Sequence, residues 1–247
     1  MMKKIVALTA FFAALTLILP AQEDIRFGFQ LSPTFSWMNT SSSRINPSGT
    51  NLGLKMGMIG EFYFRENYAF VSGIGFGFNH GGTLQHEVGG RYWTKTELPT
   101  DTLGDQGRGI KLKYGIQYVE IPLALKMRTR EFGYLRYFLQ PAITLGFKTQ
   151  AQGKVIGEPK VDSEEKFNIR REVNALNLSW GLDGGIEYTL SESTSLVAGL
   201  GIQVGFTDVT DDNGTPFDAR RGWPDRNPRE DSKGKVNAFI LRLGIIF

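Results

Sequence analysis

The run from Arg26 to Trp37, RFGFQLSPTFSW, alternates without a break. Phe27, Phe29, Leu31, Pro33, Phe35 and Trp37 take the odd positions, with Arg26, Gly28, Gln30, Ser32, Thr34 and Ser36 between them. Successive side chains leave a strand on opposite sides, so period two over that length means a β-strand with one apolar face and one small or polar face. Seven further segments repeat the pattern, with apolar sets running Leu52 to Phe64, Phe70 to Phe78, Val119 to Met127, Leu135 to Phe147, Leu176 to Tyr188, Leu196 to Phe206 and Phe239 to Phe247. Eight such segments restrict the chain to all-β architectures.

The connections narrow the choice further. Short turns at Arg65 to Tyr68, Arg128 to Gly133 and Ser191 to Thr194 alternate with long polar stretches at Met38 to Thr50, Asn79 to Gly109, Thr149 to Glu172 and Asp208 to Lys235. That alternation sends every long loop to one end and both termini to the other. An even number of strands closed into a ring also leaves no unpaired edge. A soluble barrel with the apolar face inward and a membrane barrel with it outward both satisfy the pattern. Composition separates them. Glycines such as Gly28, Gly53, Gly57, Gly73, Gly75, Gly77, Gly185 and Gly199 crowd the polar face, and small residues suit a narrow lumen. The other face is large, aromatic and continuous, a hazard in water but a match to lipid. Phe35 and Trp37 at one level, and Phe62, Phe64, Tyr68 and Phe70 at the other, stand where interfacial girdles lie. The expected architecture is an eight-stranded antiparallel up-and-down transmembrane β-barrel with short periplasmic turns and long extracellular loops.

Ahead of it, MMKKIVALTAFFAALTLILPAQ has two lysines, an apolar run from Ile5 to Leu19, then Pro20 and Ala21. This is the layout of a secretory signal peptide, expected to occupy residues 1–21 and to leave 22–247 as the barrel. Without Lys3 and Lys4, the 28 basic residues fall to 26 against 25 acidic ones. The balance gives no argument for nucleic acid. With no cysteine present, a disulfide framework and a lipid-bearing cysteine are both excluded.

YVEIPLALK, Tyr118 to Lys126, sharpens the expectation. Glu120, Pro122 and Lys126 share the even face and would point into the lumen, while Val119, Ile121, Leu123 and Leu125 face lipid. Upstream, Ile110, Leu112, Tyr114, Ile116 and Tyr118 place the apolar set on the even positions instead. The flip between Tyr118 and Val119 implies either a bulge or a strand that leaves the membrane there. If Met127 stands opposite Leu135, then Pro122 faces Gln140, Pro141 faces Ile121, and the two missing donors fall in different ladders.

With YLRYFLQPAITLGF and WGLDGGIEYTLSES, this motif resembles the PorT-like outer-membrane β-barrel family of Bacteroidota, over Ile25 to Phe247. The resemblance implies an outer-membrane barrel with external loops and a tie to type IX protein secretion. The terminal LRLGIIF, with Leu243, Ile245 and Phe247 alternating to the end, is similar to the signal that barrel assembly machinery reads.

The polar face supplies a candidate lumen network of Lys55, Glu61, Glu120, Lys126, Arg136, Gln140, Asp183, Glu187 and Arg242. Such charges must pair to be tolerated, and an eight-stranded barrel has just enough interior for side chains. A plugged, non-enzymatic barrel serving the envelope through its loops is therefore the leading expectation. A small diffusion porin for polar solutes is the alternative, and a barrel enzyme working at His80 or His86, both assigned to one loop, is a third. No cofactor or metal is expected: the spacing of Asp208, Asp211, Asp212 and Asn213 departs from a calcium loop. Expected contacts are outer-membrane lipid, the assembly machinery and secretion or other envelope proteins. Tyr92, Trp93 and Trp223 are candidate loop anchors for such partners.

Overall fold

In the computed structural model, residues 25–96, 98, 107–157, 162–216 and 232–247 are described. The segment expected to be a signal peptide, and Trp223, lie outside them. Eight long strands form the body: β1 (Ile25–Asn39), β2 (Ile45–Arg65), β3 (Tyr68–His86), β4 (Lys111–Arg128), β5 (Leu135–Ile156), β6 (Leu176–Thr189), β7 (Ser195–Gly205) and β8 (Lys235–Ile246). Each pairs antiparallel with its neighbours, β8 pairs back onto β1, and the ring is closed. At the seam Phe27 and Phe247 exchange backbone hydrogen bonds, fixing the last residue of the chain beside the start of β1.

The lipid-facing belt follows from the alternation. Phe27, Leu52 and Phe70 are among the most exposed apolar side chains, at 58%, 65% and 60%. At the end with the short turns, Phe64 packs on Phe70 with ring centroids 4.9 Å apart, and Tyr134 on Tyr188 at 6.2 Å. The lumen side is tight. A Cβ on Gly73 would stand 2.1 Å from the carbonyl oxygen of Met58, so only glycine lets β2 and β3 coil this closely.

Strand lengths set the rest of the architecture. About 9–11 residues cross a bilayer, yet β2, β3, β4 and β5 have 21, 19, 18 and 22 residues, against 11 and 12 in β7 and β8. The surplus rises on the long-loop side as a four-stranded wall. Ile45 to Thr50, Asn79 to His86 and Thr149 to Ile156, read from the sequence as loop, are strand.

At YVEIPLALK the strand leaves the membrane and continues, with no bulge in β4 itself. Its even residues are buried from Leu112 to Glu120. The bulges lie in its neighbours at the same level. β3 shifts register on β4 between Gly77 and His80, where Asn79 takes φ 57°, and β5 shifts between Tyr118–Lys148 and Gln117–Gln150. Each bulge exchanges the faces of its own strand, so β3 turns His80 and Leu84 inward and β5 turns Ala151 and Val155 inward.

The β4–β5 register differs from the expected one. Met127 pairs with Leu139, four residues beyond Leu135, and Pro122 faces Thr144. The cause is a wider turn: the Thr129 N–H donates to the Tyr137 carbonyl at 2.8 Å, and the chain bends at Phe132–Leu135. The prolines still fall in separate ladders. Pairing of β3 with β4 lapses between Ser72–Leu123 and Gly75–Glu120, beside Pro122, and that of β4 with β5 between Ala124–Ala142 and Met127–Leu139, beside Pro141.

Candidate functional site

The inward faces of the membrane-spanning strands carry the charges in three groups. Nearest the short turns, Lys126 lies between Glu61 and Glu187, at 2.5 Å from Glu61. Tyr63 donates its hydroxyl to Glu61 at 2.6 Å, while Arg128 donates to the Tyr63 oxygen at 3.0 Å and sits 3.8 Å from Glu187. Higher up, Lys55 reaches Glu120 at 2.6 Å and Gln203, which in turn donates to Ser179. Between them Arg242 pairs with Asp183 at 3.1 Å and lies over the Phe138 ring at 5.4 Å. Four cations thus face four carboxylates, each within reach of an opposite charge, which is the condition for burying them. The two upper groups, Lys55 with Glu120 and Arg242 with Asp183, border a cavity of about 80 Å³ that Gln30, Gln140 and Gln203 also line.

Above Glu120 the interior changes character. Tyr118, Ile116, Tyr114 and Leu112 from β4 meet Met38, Leu84, Ala151 and Val155 in one apolar core. The loops complete it from the open side of the wall: Tyr92 and Trp93, then Phe167, Ile169 and Val173, then Val209. Trp93 donates its indole N–H to the Tyr114 hydroxyl at 2.9 Å, edge-on at 5.4 Å between ring centroids. A Cβ on Gly153 would meet the Trp93 ring at 2.4 Å, so this glycine is the seat of the indole. Polar contacts stitch the loops together over the core. Lys95 donates its N–H to buried Glu172 and its ammonium to Asp211, and Lys148 donates to the carbonyls of Arg170 and Val173. Burial pushes the Glu172 carboxyl above its ordinary range, against the opposing pull of the hydrogen bonds from Lys95 and Thr96.

Of the residues expected in the lumen network, Lys55, Glu61, Glu120, Lys126, Asp183, Glu187 and Arg242 are there, and Gln140 lines the cavity. Arg136 is not: its guanidinium turns to Glu131 in the short turn, at 2.7 Å. Tyr63 and Arg128 join the network without being among the expected residues. Both have inward parity in the sequence, but Tyr63 stands among aromatic neighbours and Arg128 borders the short turn. The expected loop anchors need correction too, since Tyr92 and Trp93 are 2% and 3% exposed and belong to the cap core. His80 and His86 are not loop residues but inward residues of β3, buried against Tyr118 and Tyr92 respectively. Asp208 and Asp212 accept hydrogen bonds from Thr210, and Asp211 is paired with Lys95. Among the described residues no group of His, Cys, Asp and Glu is arranged to hold a metal ion. Leu243 and Phe247 face lipid at the end of the chain.

No curated protein matches the sequence. Among solved structures, the chain is similar to Neisserial surface protein A, with 10% identity, TM-score 0.43, and 89% of this chain and 95% of that one covered. It is similar to a major outer membrane protein of Thermus thermophilus, at 13% identity and TM-score 0.42 over 90% and 98%. It is also similar to OprG of Pseudomonas aeruginosa, at 12% identity and TM-score 0.38 over 90% and 94%. Residues 20–211 match the outer membrane protein β-barrel domain. With that match over most of its length and its lipid-facing ring of strands, the chain belongs to the outer membrane protein β-barrel domain family and resides in the outer membrane.

Proposed function

We propose that this barrel is a closed, non-enzymatic component of the cell envelope that acts by presenting its packed outer cap to other envelope molecules. The carrying observation is the pair of barriers in series, a neutralised ion-pair plug in the membrane and an apolar core above it. A hydrated solute would have to break both. The cavity of about 80 Å³ is room for a few waters rather than a path. Burial of His80 and His86 away from solvent supports a role without catalysis. Purified protein in planar bilayers should give no steady single-channel conductance, and a steady conductance would overturn the proposal in favour of a diffusion porin.

The finer placement among PorT-like barrels of Bacteroidota, and with it a link to type IX secretion, is proposed on the motifs from Tyr118 to Ser193. Photo-crosslinkers at the exposed cap positions Arg44 and Glu165 in intact cells test it. Recovery of secretion-machine components supports the link, and their absence alongside other captured envelope proteins counts against it. The alternation ending in Leu243, Ile245 and Phe247 is proposed as the assembly signal, with Phe247→Ala expected to slow insertion.

A further inference from the structure

The outward face of the cap wall carries a feature that neither the plug nor the core requires. Across β3, β4, β5 and the following loop, Asn79, Lys113, Gln117, Gln152, Lys154 and Lys166 line a surface pocket of about 340 Å³. Gly115 leaves its floor open, because a Cβ there would strike the Asn79 amide at 2.8 Å. Lys113 and Lys154 stand directly opposite each other in the β4–β5 register. Like charges in that position destabilise a sheet. Among the described residues Glu164 pairs with Lys154 and its charge also acts on Lys113, while the lining itself holds three lysines and no carboxylate. Asp162 and Glu165 lie in the same loop but do not line the pocket.

Its position identifies the ligand class. On β4 the outward residues run Lys111, Lys113, Gly115, Gln117 and then Val119, Ile121 and Leu123, so basic and amide side chains give way to the lipid belt within two residues. At about 3.3 Å rise per residue and a tilt near 40°, Gln117 stands about 5 Å above the belt and Lys113 about 15 Å. A long lysine stem lets the ammonium reach down from that height. We propose that this pocket binds a phosphate group on the sugar headgroup of an outer-leaflet glycolipid. The ammonium groups supply charge-assisted donors to the phosphate oxygens and the amides hydrogen-bond the sugar. The bound anion also removes the repulsion between Lys113 and Lys154.

The test uses the full-length barrel in detergent and three probes: a phosphorylated acyl-glucosamine disaccharide, the same lipid without phosphate, and the phosphorylated sugar without its acyl chains. Native mass spectrometry should show the phosphorylated lipid bound most tightly. Combined Lys113→Gln, Lys154→Gln and Lys166→Gln should weaken that binding about tenfold or more, and more so at low salt, while leaving the unphosphorylated lipid unaffected. The corresponding triple arginine variant should keep the binding. The glutamine variant removes the Lys113–Lys154 repulsion together with the exposed Lys154–Glu164 pair, which contributes little, so its heat-modifiable mobility on gels should match the parent and certify its fold. Equal binding by parent and glutamine variant would sink the proposal. So would equal affinity for the acyl-free sugar phosphate, which would make this a site for soluble anions.

Discussion

The membrane half of the barrel and the cap above it are built from the same strands with inside and outside exchanged. Along β4 the inward residues are Leu112, Tyr114, Ile116 and Tyr118 in the cap and Glu120, Ala124 and Lys126 in the membrane, while the outward ones change from Lys111, Lys113 and Gln117 to Val119, Ile121 and Leu123. The backbone of β4 does nothing special at the boundary; the solvent does. In water, burying apolar surface stabilises by about 25 cal/mol per Å², so the cap needs an apolar interior. In lipid an apolar side chain gains little by turning inward, and the lumen can be polar provided every charge is paired. One half is therefore held by hydrophobic packing and the other by strand pairing and ion pairs, and the two should fail differently.

The largest effect is expected in the membrane half. Lys126→Met leaves Glu61 and Glu187 facing each other without their shared cation, and loss of one partner from a buried pair costs about 3–5 kcal/mol. The urea midpoint for unfolding from lipid vesicles should fall accordingly, and adding Glu61→Gln and Glu187→Gln should recover most of the loss. Failure of that recovery would mean that Lys126 matters for packing rather than charge. In the cap, Trp93→Ala removes the indole seated on Gly153 and bound to Tyr114, with a cost of about 3 kcal/mol. Here the signature is spatial. Hydrogen exchange should rise in the wall above Tyr118 and stay unchanged in the membrane-spanning segments; a uniform rise would contradict the division into two halves.

A smaller effect belongs to the boundary. Asn79 holds φ 57° at the bulge where β3 exchanges its faces, and its amide donates to the Leu52 carbonyl at 2.8 Å. Asn79→Val places a β-branched residue in the left-handed region, at about 1–2 kcal/mol, whereas Asn79→Gly should cost less, although it too loses that hydrogen bond. Equal losses in thermal unfolding would show that the hydrogen bond, and not the backbone conformation, is what the site needs.

How much of this was legible depended on whether a single strand carried the signal. The belt, the inward charges and the alternating connections are local, so Phe27, Glu120 and Lys126 declared their faces directly. The flip at Tyr118 was equally visible, and of its two meanings the exit from the membrane was the right one. What could not be read was the compensation in β3 and β5, because a bulge at Asn79 or Thr149 shows only against the neighbouring strand. The same blindness made Tyr92 and Trp93 look like free anchors. Aromatic residues in a polar stretch suggest a docking surface until the wall that buries them is known to extend past the membrane. The hairpin register differs from the expected one because the span from Thr129 to Tyr137 holds more turn than its sequence announces.

The smallest expected effect separates the halves by pH. Glu172 sits in the cap, where burial raises its carboxyl pKa above the unfolded value and the donors at Lys95 and Thr96 only partly oppose that. The folded cap therefore holds this proton to higher pH than the unfolded chain does. The associated stability is fully present below the unfolded pKa near 4.5 and is lost as pH rises through the raised folded value. Glu172→Gln keeps an acceptor for both donors but cannot titrate. Its cap should be the more stable at pH 7, and the advantage over the parent should shrink toward pH 4, as measured by exchange protection of the wall. The membrane half should show no difference between the two proteins at either pH. An advantage for glutamine that persists undiminished at pH 4 would mean that the substitution acts through packing, and that the carboxylate at Glu172 is not a strained charge.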